Sequence, residues 1–469
     1  MTSGAERPAG RRGDLDLAVV HLTFEGIQTF GGGVATVTRG HLGTLPRLQE
    51  ELRREGISLT PYFCEIAYAR EHERRDPAYQ RQAEEAIARM GGRLEYLLNF
   101  SQGELPRASW GVGDLGGLEN WKVACASGAA TALNLARYHD LTIVYAHDSL
   151  YALAPVYLAV QQEAAGVNAR SVYVMHSTAL LHEMPLPNPE RLMVESVGVQ
   201  WAKVSPNVRV GYISRFMADH VRLEYGAHHD TMVPTGNGIN PADPFFRLRS
   251  RDEIVAKLRQ YNIPTDRPLV FSWGRAVEYK RFDLVLEATA RLRGKAHPVV
   301  MVTPAWDKLV ALDRRLGTGA TLIFAFDPEL VASMLQWERT YVAASLARRE
   351  PGGLTPMEVR VLARREGPLM VVSDTGGLVE QVEDGVDGFV AKQDDVEDTA
   401  KTFERVLDLP GEERERIRRH GLETVLQNYT WSSQILKTLA ALVPEVARVE
   451  DKVRAELVSE AMGRLEKAA

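Results

Sequence analysis

Short apolar, β-branched runs recur along this chain, and stretches of helical period separate them. The runs include Leu17–Val20, Leu141–Tyr145, Ser171–Met175, Val208–Ile213, Pro268–Ser272, Pro298–Val302, Thr321–Phe324 and Leu369–Val372. Each carries few charges, as strands do when helices cover both faces of a parallel sheet. Ser149–Gln161, Phe216–Tyr225, Asp283–Leu292 and Pro328–Trp337 read as helices between them. The alternation predicts an α/β chain with parallel sheets. The strands are too many for one comfortable sheet, so a domain boundary is expected. Asn240–Arg249, with two prolines and a Phe pair before a charged helix start, supplies it. The expected organisation is a tail over 1–13, an α/β domain over 14–245, a second over 246–430, and helices over 431–469. Residues 65–95 are charged and read as a helical insertion after an early strand, and 99–119 as a Gly-rich loop. After Pro444, the spacing of Val446, Val449, Val453 and Leu457 predicts one amphipathic helix.

Composition removes several classes of function. Apolar residues make up 45% and charged residues 25% of the 469, which is ordinary for a globular chain. The net charge of −6 comes with both signs mixed, so no basic field advertises nucleic acid as a partner. Cys64 and Cys125 are too few for a disulfide framework and match no zinc spacing, so they read as core thiols. The first 13 residues lack an apolar core and read as a disordered tail rather than a secretory signal. No stretch approaches the roughly 18 apolar residues of a membrane span. A cytoplasmic protein without stable membrane insertion is expected; its oligomeric state is not legible.

Chemistry gathers where predicted strands end, which is where open α/β sheets bind ligands. Gly31-Gly32-Gly33 precedes the helical stretch Val34–His41. A glycine turn before a helix offers free N–H groups and a positive dipole end to a diphosphate, although three glycines also make a plain flexible turn. The spacing is not that of a dinucleotide fingerprint, which disfavours an oxidoreductase. His147-Asp148 and His176 follow two further strands. Arg275 and Lys280, in SWGRAVEYKRFD, could grip two phosphates of one ligand, or simply solvate a helix start. The most informative stretch is REPGGLTPMEV. Glu350 lies before a helix start built from Gly352, Gly353, Leu354 and Thr355, with Pro356 in the first turn, and Glu358 lies about a turn inside. Asp374–Gly377, SDTGG, is another glycine turn at a strand end. Asp14-Leu15-Asp16 looks like a metal-binding DxD but precedes the first strand, the wrong end for a ligand.

With these residues in view, the chain resembles retaining GT-B glycosyltransferases of the family 4 and glycogen-synthase type, from about Leu17 to Trp431. EPGGLTPMEV, TGGLVE, GGGVATV and HDSLYALAPVYLA look like glycogen synthase; SRFMADHV and NGIN are shared with family 4 more widely. The resemblance implies that 14–245 and 246–430 are Rossmann-like, doubly wound domains facing a central cleft, and that the helices over 431–469 cross back to the N-terminal domain. It implies that Gly32 and Gly33 contact the donor diphosphate and that His176 lies near the donor sugar. Arg275 and Lys280 would neutralise the leaving group. Glu350 would hold sugar hydroxyls, with Gly352, Gly353, Leu354 and Thr355 around the sugar and phosphate, and Glu358 would bind the ribose. His147 and Asp148 would belong to the acceptor side. The donor would be a UDP-, ADP- or GDP-sugar, with no cofactor and no metal.

Some residues depart from the pattern. Glycogen synthases usually carry an aromatic at the place of Glu358, which brings the chain nearer family 4. Phe30 stands where their N-terminal glycine motif usually has lysine. VRVLARREGPLMVV is longer than the usual turn, and its arginines have no role in the family pattern. These departures turn the expectation away from glucan synthesis and toward a small hydroxylated acceptor, such as an aminocyclitol or sugar of specialised metabolism. An α-glucan or disaccharide synthase is the second expectation, and a non-catalytic nucleotide-sugar-binding protein the third.

Overall fold

The computed structural model describes residues 14–68, 74–98, 117–183 and 185–467. The expected tail and most of the Gly-rich loop, 99–116, lie outside them. Among the described residues, those up to Gly238, together with Trp431–Leu457, form one compact unit; Ile239–Thr430 and 458–467 form the other. The division thus falls upstream of residue 245, because Ile239 donates its backbone N–H to Tyr429 and pairs with the end of the second unit.

The first unit holds seven strands: β1 Leu15–Thr23, β2 Ile57–Ile66, β3 Arg93–Leu97, β4 Leu141–His147, β5 Ala169–Met175, β6 Val208–Tyr212 and β7 Met232–Pro234. All pair in parallel, in the order β3-β2-β1-β4-β5-β6-β7. The second unit holds six: β8 Leu269–Arg275, β9 His297–Thr303, β10 Thr321–Ile323, β11 Thr340–Ser345, β12 Leu369–Ser373 and β13 Phe389–Ala391. These too are parallel, in the order β10-β9-β8-β11-β12-β13. Each sheet is doubly wound, and strand order reverses once in each, at β1/β4 and at β8/β11. Connections leave these strands in opposite directions, which opens a crevice beyond their carboxyl ends.

Alternate residues of the second sheet feed two separate cores. Leu269, Phe271, Val299 and Met301 pack on one face; Val270, Val300, Val302 and Val342 pack on the other. Burial on both faces is why these strands read as unbroken apolar runs.

Three local expectations are corrected. Residues 65–95 are not an insertion: β2 runs to Ile66, Pro77–Arg89 is a crossover helix, and β3 pairs with β2. Proline within β2 and half-exposure of the edge strand β3 hide both from an apolar-run reading. The C-terminal stretch is two helices, Pro444–Ala447 and Glu450–Lys467, rather than one; Val446, Val453 and Leu457 still join the first unit's core. Ser149–Gln161 divides into a short turn, Ser149–Tyr151, and the helix Ala154–Ala165, with Pro155 in its first turn.

Candidate functional site

In the second unit, β8 ends on Gly274, at φ 150°, and Arg275. Only glycine holds that backbone angle without strain. The exposed Arg275 donates from Nη2 to the Tyr279 hydroxyl at 3.1 Å. A single turn, Glu278–Lys280, then carries Lys280 to Glu350, with Nζ 2.6 Å from Oε2. Burial alone would pull the Lys280 ammonium down, but the facing carboxylate outweighs it and holds its pKa above the ordinary lysine value. The pair spans the ends of β8 and β11, the strands between which the order reverses.

Glu350 is held mainly through its backbone. The Gly377 N–H donates to the Glu350 carbonyl at 2.7 Å. Gly376, at φ 68°, lies so close that a Cβ there would stand 2.6 Å from that carbonyl oxygen. The first glycine of SDTGG is therefore explained by its close approach to Glu350. Gln381 donates to the carbonyls of both Gly353 and Gly377 and ties the two glycine turns together. The helix Thr355–Leu362 follows, with Pro356 and Glu358 in its first turn. Glu358 is only half-buried, yet burial raises its carboxyl to about 7. Among the described residues its carboxylate has no hydrogen-bond or ion-pair partner. Two of the three arginines after it have structural partners: Arg360 pairs with buried Asp387 at 2.9 Å, and Arg364 donates to the Phe246 carbonyl.

In the first unit, Gly32 caps the helix Gly33–Arg54 with extended backbone and no side-chain bond. Glu25, in the loop after β1, accepts the Ala35 N–H at 3.0 Å and so satisfies one donor of that helix start. Among the described residues, the N–H groups of Gly33 and Val34 are left without a partner. Burial raises Glu25 to about 8; the Ala35 bond opposes this, and the charges of Glu65 and Asp148 add to it. Sequence reasoning missed Glu25, because a single glutamate in a loop has no spacing to mark it.

His147 closes β4 and lies between two other imidazoles. Its Nε2 is 3.1 Å from His21 Nδ1, and its Nδ1 is 3.0 Å from Nε2 of the half-buried His176. Burial depresses all three, His176 to about 4 and His21 to about 3, so the row is neutral at ordinary pH. His21 and His41 were missed because they lie inside a strand and a helix, where histidine reads as core. Asp148 adopts φ 62° and ψ −178°, a conformation rarely taken by a residue with a side chain. Its carboxylate accepts the Ser149 N–H at 3.0 Å, and its own N–H bonds to Val174. Buried Glu195 anchors the neighbouring loops, accepting bonds from Ser149, Arg191 and the Ala179 N–H. The candidates therefore form two sets. Lys280 touches Glu350 with Arg275 beside them, and His147 touches His176. Asp16, of the rejected DxD, instead pairs with His139 at 2.9 Å.

Residues 254–424 match the family model described as glycosyl transferases group 1. Granule-bound starch synthase 1 of Arabidopsis thaliana is 30% identical over 165 residues, 32% of this chain and 26% of that protein. D-inositol 3-phosphate glycosyltransferase of Mycolicibacterium smegmatis is 30% identical over 220 residues, 45% of this chain and 46% of that protein. The chain thus matches about a quarter to just under half the length of these curated relatives. Among solved structures, HepE of Anabaena in complex with UDP and glucose superposes with a TM-score of 0.58 at 17% identity, covering 91% of this chain and 100% of that one. Among the described residues, no helix is long and apolar enough to cross a membrane.

Proposed function

We propose that this chain, whose residues 254–424 match the group 1 glycosyl transferases, is a GT-B enzyme that moves a sugar from a nucleotide diphosphate sugar to a hydroxyl of a small acceptor, with retention of anomeric configuration. The observation that carries this reading is the Lys280–Glu350 pair at the strand-order reversal of the second sheet, followed one helix turn on by the unpartnered carboxylate of Glu358. An ammonium beside a carboxylate offers one group to a leaving phosphate and the other to sugar hydroxyls. A desolvated carboxylate without a donor is suited to accept two ribose hydroxyls.

In the proposed reaction the bond between the anomeric carbon and the diphosphate oxygen breaks, and the acceptor oxygen bonds to that carbon on the same face. The acceptor proton passes to the departing phosphate. Negative charge grows on the diphosphate, and Arg275 and Lys280 stabilise it; preorganised contacts of this kind are typically worth ~3–4 kcal/mol each. The cations do this work in the proposed scheme without a metal. The N–H groups of Gly352 to Thr355 line the sugar and phosphate, and Gly32 and Gly33 present theirs to the diphosphate. His176 contributes a neutral imidazole near the donor sugar, and His147 and Asp148 serve the acceptor side. A cytoplasmic setting is part of the proposal, as is a role in specialised metabolism.

The test is to mix the chain with UDP-, ADP- and GDP-sugars and candidate acceptors and to measure release of free nucleotide diphosphate. One donor should raise the melting temperature selectively, and release should depend on the acceptor. Binding without release under any acceptor would leave a nucleotide-sugar-binding protein instead. A second reading, α-glucan or disaccharide synthesis, draws on the likeness to starch synthase 1. The small-acceptor reading draws on the likeness to the inositol-phosphate enzyme. Glycogen, trehalose precursors and aminocyclitols offered in parallel separate the two.

A further inference from the structure

The buried histidines of the first sheet exceed what the proposed reaction asks of them. His21 lies in β1 in register with Tyr145, and His147 is two residues beyond Tyr145, so the pleat puts His21 and His147 on one face. His41 reaches the same point from the helix Gly33–Arg54. Its ring centroid is 5.0 Å from that of His21 and 5.9 Å from that of His147. One ring nitrogen from each of the three lies within 4.8 Å of the other two.

Within the group, His21 Nδ1 and His147 Nε2 lie 3.1 Å apart, but the remaining needs of the rings are not met. His21 Nε2 and His41 Nδ1 are fully buried with no hydrogen-bond partner. An unpaired buried polar atom costs roughly 1–3 kcal/mol, and three buried imidazoles whose nitrogens converge while the protein supplies so few partners point to a guest. Room exists for one: a small cavity, about 10 Å³, is lined by His41, His147, His176, Thr235 and Gln434. That volume suits a water-sized ligand.

We propose that His21, His41 and His147 form a binding site for a borderline divalent transition-metal ion, with Zn2+ the best fit and the adjoining cavity left for a fourth, exchangeable ligand. Zinc bound to imidazole nitrogen at about 2.0–2.1 Å sets neighbouring ligands about 3.3 Å apart in a tetrahedron. The 3.1 Å between His21 Nδ1 and His147 Nε2 is close to that edge. An all-imidazole set without carboxylate favours Zn2+, Co2+ or Cu2+ over Mg2+ or Ca2+. A metal on His147 Nε2 would fix its proton on Nδ1, which then donates to His176. The site belongs wholly to the first unit, so it does not replace the Arg275 and Lys280 contacts proposed for the diphosphate.

The experiment uses the full chain, stripped with chelator and titrated with Zn2+ in competition with a chromophoric chelator. One equivalent should bind and raise the melting temperature, and Co2+ should give the visible absorption of a tetrahedral nitrogen site. His21→Gln and His41→Gln should each weaken uptake beyond the roughly 10–100-fold expected from losing a mere supporting residue. The exposed His228 and His229 provide the control. Uptake that survives both glutamine variants but disappears in the paired variant His228→Ala/His229→Ala overturns the proposal, and so does absence of uptake by the folded wild-type chain. If a glutamine variant fails to fold, X-ray absorption of the zinc-loaded wild type decides: three imidazoles support the site, and a mainly oxygen shell removes it.

Discussion

The two sheets share a strand order but carry opposite electrostatics at the ends of corresponding strands. In the second sheet, the strands flanking the reversal end in charge: exposed Arg275, and Lys280 paired with Glu350. In the first, the same two positions lead to Glu25, which burial raises to about 8, and to His147, which burial keeps neutral. One scaffold therefore presents ions at one reversal and desolvated, largely neutral groups at the other. Solvent access makes the difference. An exposed arginine and a partly accessible ion pair can meet a diphosphate, whereas buried imidazoles and carboxyls can only exchange hydrogen bonds, protons or a metal.

The sharpest way to break this contrast is to remove the charges. Arg275→Ala and Lys280→Ala should each lower turnover about 10²–10³-fold, the usual loss for one preorganised contact to developing charge. Steady-state assays on folded variants check this, and near-normal turnover in both would end the phosphate-clamp reading. Glu358 comes next. With its folded pKa raised to about 7, the protein holds that proton more tightly than the unfolded chain does. The stabilising contribution is full below the unfolded value of 4.5 and is lost as pH rises through about 7. Glu358→Gln should therefore stabilise the ligand-free protein at pH 8 by about 1–3 kcal/mol, discounted for partial exposure, and little at pH 4. The same variant should weaken donor binding. Denaturant melts at both pH values, with donor titrations alongside, test it; a variant less stable at pH 8 would mean that the carboxylate has an internal partner.

The charged end was legible in sequence and the buried end only partly so. Glu350, Glu358, Arg275 and Lys280 sit in loops and helix starts, where glycine, proline and spacing mark a candidate site. His147 and His176 also follow strands and were legible for that reason. His21 and His41 carry no such mark, since a histidine inside a strand or helix is locally indistinguishable from core. The fold divides in the same way. Runs buried on both faces, such as Leu269–Arg275, announce themselves. The edge strand Arg93–Leu97 and the proline-bearing Ile57–Ile66 depend on their neighbours for identity. Their register is a tertiary fact, which no local pattern records.

Two glycine turns sharpen the comparison at smaller scale. Gly376 packs against the Glu350 backbone, so Gly376→Ala should cost about 1–3 kcal/mol through strain and clash, and should lower turnover by displacing Glu350. Loss of turnover without loss of stability would show that this turn yields more easily than its packing suggests. Gly33 differs: a Cβ there meets nothing within 4 Å, and the residue opens a helix. On conformational grounds Gly33→Ala should be neutral or stabilise by up to about 1 kcal/mol. If the open space above Gly33 is kept for a diphosphate approaching the free N–H groups, that methyl should raise the donor KM while leaving the melting temperature unchanged or higher. A KM equal to wild type would make these glycines an ordinary turn and leave the diphosphate to the second unit alone.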